Sequence, residues 1–228
     1  MKVSLCLLVW NELEGCRIDV PNLPLNVFEE IYAIDGGSTD GTIEYLESKG
    51  IPTYIQPQKG LNAAYIYAVE KSTCDPIVVF FPKGTLPTSS LMKFRYFLES
   101  GYDLVVASRN LKNSLNEEDN KFIKLRKWCV LGLAYFVALI WRREGYIIRD
   151  VLHGYKGFTI SGFNKIAPFD YGISIDLEMV VRSYRLRLKR YEFPVTELSR
   201  PFGETHFKFL PTGIMLLKYL WQEIKHQL

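Results

Sequence analysis

The sequence predicts an α/β fold with a mostly parallel sheet flanked by helices, and three observations lead to this prediction. Apolar runs of strand length alternate with stretches of helical periodicity through the first half of the chain. Hydrophobic residues make up 48% of the 228 residues and charged residues 23%, so the chain can bury a sizeable core. The length suits one α/β domain or one domain with a short appendage.

The strands are predicted where apolar runs end at polar or glycine-rich positions. The run at residues 77–81 is continuous and is cut off by Pro82, which cannot donate to a sheet ladder. The other predicted strands are residues 2–10, 28–34, 53–55, 103–107, 158–160 and 187–195. Strands that alternate with helices pair mostly in parallel, as in doubly wound sheets.

The helices are predicted from apolar residues at spacings of three and four. The predicted helices are residues 43–48, 61–71, 88–100, 174–184 and 212–226. In the last of them, the apolar side chains assigned to one face are Ile214, Leu217, Leu220, Trp221 and Ile224. This face predicts an amphipathic helix for the core, a partner or a membrane surface. Residues 110–120 are polar and aperiodic, and we expect a loop there.

Residues 128–141 form an uncharged apolar run between basic clusters. The run is too short to span a bilayer, which takes roughly 20 residues. Its basic flanks favour a helix that lies in a membrane interface or re-enters it, and a buried core helix is the alternative. The four cysteines lack metal-ligand spacing and the apolar N-terminus lacks a cleavage site, which indicates a cytosolic protein with reduced thiols.

In a doubly wound sheet, ligands bind beyond the carboxyl ends of the strands. The candidate site residues are therefore those that follow the predicted strands: Asn11 and Glu12, Asp35, the 82–84 loop, and Ser108 with Arg109. The net charge of +3 is too small to indicate a nucleic acid partner, and none is expected.

Several motifs resemble those of family 2 glycosyltransferases. Residues 34–42 read Ile-Asp-Gly-Gly-Ser-Thr-Asp-Gly-Thr, which is similar to the family's signature, and residues 3–12 resemble its opening strand with Asn-Glu. Residues 57–64, 103–109, 150–158 and 200–208 resemble further blocks, in the pattern of dolichol- and polyprenyl-phosphate sugar synthases. The resemblance implies the Rossmann-like GT-A fold over residues 1–206. Residues 207–228 would form a C-terminal amphipathic helix in the same domain or facing a membrane or partner.

The resemblance implies a site for a nucleotide diphosphate sugar. The implied donor-binding residues are Asn11, Glu12, Asp35, Gly37, Lys59 and Gly60. Asp35 would bind the base or ribose, because a carboxylate accepts two hydrogen bonds well. An aspartate that caps its own turn is the alternative for Asp35, and a solvated lysine at a helix start is the alternative for Lys59.

The chain departs from the family at the metal site. The GT-A fold normally has Asp-x-Asp after the apolar strand, where it holds Mg²⁺ or Mn²⁺ through oxygen ligands. Here residues 82–85 are Pro-Lys-Gly-Thr, and no carboxylate lies between Asp75 and Glu99. We therefore assign no metal ligands and leave the cofactor unassigned. Either Lys83 supplies positive charge to the diphosphate directly, or the site has lost catalysis; a surface turn lysine is the plain alternative.

For the acceptor, the resemblance points to a lipid phosphate, which is an anionic nucleophile and needs no strong general base. The implied acceptor-binding residues are Arg109, Arg126, Arg200 and His206. Guanidinium groups suit bidentate contacts with phosphate, and surface solubility is the alternative for the arginines. His153 replaces the family's Ser, and Thr205-His206 replaces its Ser-Lys, so the acceptor identity stays open.

The implied catalytic residues are Asp150, Lys83 and Asp176. Asp150 is the leading acidic candidate, followed by Asp176 and Glu178. Residues two apart on a helix do not share a face. We therefore expect one of Asp176 and Glu178 to face the site and the other to face solvent.

The predicted function is transfer of a sugar from a nucleotide diphosphate sugar to a polyprenyl-phosphate or glycan acceptor in cell-surface glycan synthesis, with inversion. A non-catalytic subunit that binds a nucleotide sugar or a partner transferase is the alternative. A nucleotidyltransferase would want a glycine-rich basic loop near the N-terminus, which residues 9–15 do not provide. We expect a cytoplasmic protein held peripherally at the inner face of the cell membrane.

Overall fold

The strands of the protein join into one sheet in the computed structural model, which describes residues 1–115, 124–202 and 209–225. The strands are β1 (Ser4–Val9), β2 (Glu30–Asp35), β3 (Thr53–Ile55), β4 (Ile77–Phe80), β5 (Leu104–Ser108), β6 (Lys156–Phe158) and β7 (Arg190–Pro194). The helices are α1 (Leu13–Asp19), α2 (Thr42–Ser48), α3 (Leu61–Lys71), α4 (Leu91–Glu99), α5 (Leu125–Trp141), α6 (Ile160–Ile166), α7 (Ile175–Arg185) and α8 (Phe209–Lys225).

The sheet has the order β3-β2-β1-β4-β6-β5-β7. Strand β6 runs antiparallel to its neighbours β4 and β5, and the other neighbouring strands pair in parallel. The prediction of a mostly parallel sheet flanked by helices is therefore confirmed. Strands β1, β2, β3, β4, β5 and β7 all end at the same edge, here called the carboxyl edge.

Helices cover both faces of the sheet, because successive side chains of a strand point to opposite faces. Leu5 and Leu7 of β1 lie in one apolar cluster with side chains of α1, α2 and α4. Cys6 and Leu8 lie in a second cluster with side chains of α3, α5, α6, α7 and α8. The result is a three-layer arrangement in which the sheet is buried on both sides.

Three short elements differ from the sequence-based prediction: one strand and two helices. The strand predicted at residues 158–160 is wrong at its end, because Thr159 caps helix α6: its hydroxyl oxygen accepts a hydrogen bond from the Gly162 amide at 3.1 Å. Helices α1 and α6 were not predicted at all. Each has only seven residues, about two turns.

Helix α8 packs with a different face from the one predicted. Leu216, Tyr219 and Leu220 are buried in the core, whereas Leu217 and Trp221 are exposed. The predicted apolar face therefore mixed residues from two sides of the helix. Two ion pairs from Glu223 to α7, with Arg182 and Arg185 at 2.5 Å each, accompany this packing.

Some predictions lie outside the described residues. The predicted loop at residues 110–120 is described as far as residue 115, and the proposed boundary between residues 206 and 207 falls outside. That division of the chain stays a prediction. Within the described ranges, no helix is both long and apolar enough to cross a membrane.

Candidate active site at the carboxyl edge

The loops after β1 and β2 are locked together by hydrogen bonds. The Asn11 amide donates to the Ser38 hydroxyl at 2.8 Å, and the Asn11 side-chain oxygen accepts from the Thr39 amide at 2.9 Å. The Glu12 amide donates to the Thr42 hydroxyl at 3.1 Å. The two segments that carry most of the predicted donor residues therefore form one unit at the carboxyl edge.

Asp35 ends β2 and is fully buried. One of its carboxylate oxygens accepts hydrogen bonds from the Gly37 and Ser38 amides at 2.7 Å each, and the other accepts from the Ser38 hydroxyl at 2.5 Å. The structure thus displays the turn-capping alternative. Binding of a donor by Asp35 and Gly37 stays a prediction.

The Lys59-Gly60 segment precedes α3 and lies at the carboxyl end of edge strand β3. Lys59 is exposed, as expected for a solvated lysine at a helix start. Gly60 has a φ of 123°, and a Cβ there would come within 3.0 Å of the Gly172 carbonyl oxygen. Close packing therefore accounts for the glycine, and a donor contact by either residue stays a prediction.

The 82–84 loop after β4 rests directly on helix α1. A Cβ on Gly15 would lie 2.2 Å from the Pro82 carbonyl oxygen, so the helix and the loop touch backbone to backbone. The Asp19 carboxylate accepts a hydrogen bond from the Gly84 amide at 2.8 Å. These contacts define the position from which Lys83 projects.

Lys83 projects among charged side chains of the carboxyl edge. Its Nζ atom lies 4.9 Å from the ring centroid of Phe81. The charges that act on it are those of Glu12, Arg200, Glu197 and Asp176. Burial lowers the pKa of Lys83, the carboxylates oppose this, and the Arg200 guanidinium adds to it.

Arg109, which follows β5, is held by two carboxylates. Its Nε and Nη2 atoms donate to the two oxygens of Asp150 at 2.8 and 2.9 Å, and its Nη1 atom donates to Glu197 at 2.8 Å. Asp150 is fully buried. Burial would raise the pKa of Asp150, but the charge and hydrogen bonds of Arg109 outweigh it and hold that pKa well below its usual range.

The Arg109–Asp150 pair bears on two predicted roles. An aspartate that is buried and bonded at both oxygens is a poor proton acceptor, and a guanidinium bonded to two carboxylates has few donors left for a phosphate. The predicted roles of Asp150 in catalysis and of Arg109 in acceptor binding stay predictions. What the structure displays is a buried ion pair between the residue after β5 and the segment before β6.

Sequence reasoning missed Lys156, which is fully buried on β6. Its ammonium donates to Asp176 at 2.7 Å and to the His153 carbonyl oxygen. Burial lowers the pKa of Lys156, and the Asp176 carboxylate opposes this effect. Its signal was weak, because Lys156 lies two residues before the strand predicted at residues 158–160.

The prediction that one of Asp176 and Glu178 faces solvent is wrong, because both are buried. Asp176 points to Lys156. Glu178 accepts hydrogen bonds from the Asn62 amide group at 2.8 Å and from the Ser174 hydroxyl at 2.5 Å. Polar groups from α3 and the start of α7 compensate the second carboxylate, so neither needs water.

The remaining predicted residues are scattered. Arg200 forms an ion pair with Glu12 and so joins the β7 side of the carboxyl edge to the β1 loop. Arg126 lies exposed in the first turn of α5. His206 lies outside the described residues. His153 is buried, with Nδ1 2.5 Å from the Ala107 carbonyl oxygen, and burial lowers its pKa.

Asp19 yields a prediction on pH dependence. Burial raises its pKa from the ordinary 3.8 to about 6, although amides of the 82–84 loop oppose this. Between these values the folded state binds the proton more tightly than the unfolded state, so the contribution of Asp19 to stability decreases as pH rises from about 4 to 6. Asp19→Asn keeps an acceptor for the loop and should gain stability relative to wild type over that interval.

Urea unfolding of both proteins at pH 4, 5, 6 and 7 measures this difference. Asp40→Asn is the contrasting control. Burial would raise the pKa of Asp40, but hydrogen bonds from Thr42 and Leu13 lower it overall, so its contribution to stability is lost only below about pH 4 and this variant should differ from wild type by a nearly constant amount between pH 4 and 7. Equal pH trends in the two variants would contradict the assignment for Asp19.

Comparison with known proteins agrees with this architecture. No protein-family model matches the chain. Glycosyltransferase AglJ of Haloferax volcanii is 28% identical over 232 residues, which cover 97% of this chain and 72% of that protein.

The solved structures of glucosyl-3-phosphoglycerate synthase from Mycobacterium tuberculosis share the fold. The complex with Mn²⁺ and UDP-glucose has a TM-score of 0.72 at 14% identity, covering 96% of this chain and 76% of that one. The complex with Mg²⁺ and UDP has a TM-score of 0.72 at 14% identity, covering 97% and 78%. The sheet, the relative and the solved structures together identify the chain as a glycosyltransferase with the GT-A fold.

Proposed function

We propose that the chain transfers a sugar, with inversion, from a nucleotide diphosphate sugar to a polyprenyl phosphate in cell-surface glycan synthesis. The observation that carries the proposal is the connection between the donor loops and the cations. Glu12 is hydrogen-bonded to the Asp35 loop through Thr42, is paired with Arg200 and acts on Lys83. A nucleoside held by the loops would thus have its diphosphate beside two cationic side chains.

The state of the carboxylates favours a phosphate acceptor over a glycan hydroxyl. A hydroxyl nucleophile needs a base to take its proton, whereas a phosphate oxygen is already anionic. Asp150 is bonded to Arg109, and Asp176 is bonded to Lys156. Both carboxylates are therefore placed to hold cationic side chains in position. Transfer to a phosphate oxygen requires no further role from them, because no proton has to be removed.

Helices α5 and α8 supply a surface suited to a membrane. One face of α5 is buried in the core, while Leu125, Trp128, Tyr135, Phe136 and Leu139 are exposed. The core alternative thus accounts for one face of this helix, and the membrane-interface alternative for the exposed face stays a prediction. On α8, Ile214, Leu217 and Trp221 are exposed at spacings of three and four. Apolar and aromatic faces beside basic residues bind the interface of anionic bilayers.

A membrane-binding experiment tests this part of the proposal. Leu139 is 82% exposed, so Leu139→Glu should leave folding intact but place a charge on the apolar face. We expect it to weaken co-sedimentation with anionic phosphatidylglycerol vesicles about tenfold. Tyr96→Glu is the matched control, because Tyr96 is 66% exposed on α4 across the sheet. Equal binding by the two variants would contradict a membrane role for α5.

A thermal-shift screen with UDP-, GDP- and CDP-sugars, each with Mn²⁺ and with EDTA, tests donor binding. A donor at 100 times its Kd should stabilise the fold by about 2.7 kcal/mol. Any donor that binds is then incubated with short-chain polyprenyl phosphate, and the glycolipid product is measured. Binding without turnover would favour a non-catalytic subunit, and the absence of any shift would refute the proposed donor site.

A further inference from the structure

The position after β4 is occupied by a lysine where the fold normally places metal-binding carboxylates. Solved structures of the same fold hold Mn²⁺ or Mg²⁺ together with UDP or UDP-glucose. Such ions require several oxygen ligands in a near-octahedral arrangement. In this chain the loop carries the ammonium group of Lys83 at that place. A positively charged side chain thus stands where negatively charged metal ligands would be.

The carboxylates near this position are already committed to other partners. Glu12 is paired with Arg200, and Asp176 with Lys156. Glu197 is bonded to Arg109, and the Asp19 carboxylate accepts from the Gly84 amide. Across the described parts of the chain, no three acidic, His or Cys side chains are arranged to hold a metal ion. The residues present therefore do not fit the divalent ion.

The ammonium of Lys83 has the properties that a substitute for the ion requires. Within the described residues it forms no ion pair, and its nearest aromatic ring is that of Phe81 at 4.9 Å. The loop that carries it is fixed by the backbone contact with Gly15 and by the hydrogen bond to Asp19. A cation on a rigid loop in a partly buried site stabilises developing negative charge without reorganisation.

We propose that Lys83 replaces the divalent ion, binding the donor's diphosphate directly, so that transfer proceeds without metal. This inference rests on the proposed function. The acceptor's phosphate oxygen forms the bond to the anomeric carbon, and the bond from that carbon to the donor's phosphate oxygen breaks. The electron pair of the broken bond leaves with the nucleoside diphosphate, and Lys83 keeps its proton throughout.

The test compares turnover and product binding in EDTA and in Mn²⁺. Wild type should turn over equally in both. Lys83→Met should reduce kcat by about 100- to 1000-fold, as removal of one donor to a developing anion does. The affinity of Lys83→Met for the nucleoside diphosphate of the donor found in the thermal-shift screen, measured in EDTA, should fall about tenfold. The melting temperature of this variant should stay near that of wild type. Lys83→Arg keeps the charge and should retain part of the activity.

Lys93→Met is the matched control, because Lys93 also lies over an aromatic ring, that of Phe193 at 5.5 Å, but sits on α4. It should behave as wild type. Turnover that is abolished by EDTA and restored by Mn²⁺ would overturn the inference while leaving the proposed function intact. So would a Lys83→Met enzyme within threefold of wild type. Failure of wild type to bind or use any donor would overturn both proposals.

Discussion

Replacing either partner of the Arg109–Asp150 pair is expected to lower the free energy of unfolding by about 3 to 5 kcal/mol. Each replacement removes one charge from a buried ionic network. The loss should be larger for Arg109→Met, which leaves both Asp150 and Glu197 unpaired. Asp150→Asn leaves Arg109 bonded to Glu197 and keeps one oxygen acceptor. Urea unfolding at pH 7 measures both variants.

The control for this prediction is an ion pair on the surface. Arg17 pairs with Glu14 at 2.6 Å, and both side chains are about half exposed. Arg17→Met should change stability by about 0.5 kcal/mol or less, because water compensates the separated charges. If Arg109→Met costs no more than Arg17→Met, the buried network does not stabilise the fold.

The same variants separate two roles for Asp150. If Asp150 acts by positioning Arg109, the variant that combines Arg109→Met with Asp150→Asn should lose no more transfer activity than Arg109→Met alone, since the two residues act as a unit. If Asp150 instead takes a proton from the acceptor, the two losses should multiply. Activity is measured at saturating donor, with circular dichroism to confirm that each variant is folded.

Gly15→Val is expected to reduce transfer activity by about 100-fold. A Cβ at residue 15 would lie 2.2 Å from the Pro82 carbonyl oxygen and 2.8 Å from the Lys83 Cα atom. Since the clash is with backbone, α1 and the 82–84 loop must move apart by about 1 Å, and a misplacement of that size costs roughly this factor in rate. Overpacking should also lower stability by about 1 to 3 kcal/mol.

Gly132→Ala provides the control for the glycine variant. Gly132 lies in α5, and apart from the nearby backbone of its own helix no heavy atom of the described residues lies within 4 Å of the position its Cβ would take. Because alanine favours the helix, this variant should be more stable by about 0.5 to 1 kcal/mol and fully active. Wild-type activity of Gly15→Val would show that the position of the 82–84 loop does not matter for transfer.

The sequence predicted most of the sheet and the edge at which the site lies. The runs around residues 53–55, 77–81 and 103–107 agree with β3, β4 and β5 to within one residue at each end. The runs of β4 and β5 are almost continuously apolar and fully buried, a pattern that specifies interior parallel strands with little help from the rest of the chain. For the same reason, residues after the strands could be named as candidates before any contact was known.

Local sequence patterns could not predict which charged residues pair with each other. Lys156 and Asp176 are 20 residues apart, Arg109 and Asp150 are 41 apart, and Glu12 and Arg200 are 188 apart. Nothing in the neighbourhood of one member indicates the other. The error on Glu178 has the same origin, because its burial depends on the Asn62 side chain from a distant helix.

Local chemistry thus determined the alternation of strands and helices, the turn that Asp35 opens and the presence of a lysine after β4. These features depend on side-chain periodicity, turn geometry and residue type, which act over a few neighbouring residues. The folded chain alone decided where β6 inserts, which carboxylates are paired and which face of α8 is buried. Those outcomes depend on groups far apart in the chain that must leave water together, and a buried charge is tolerated where such a partner meets it.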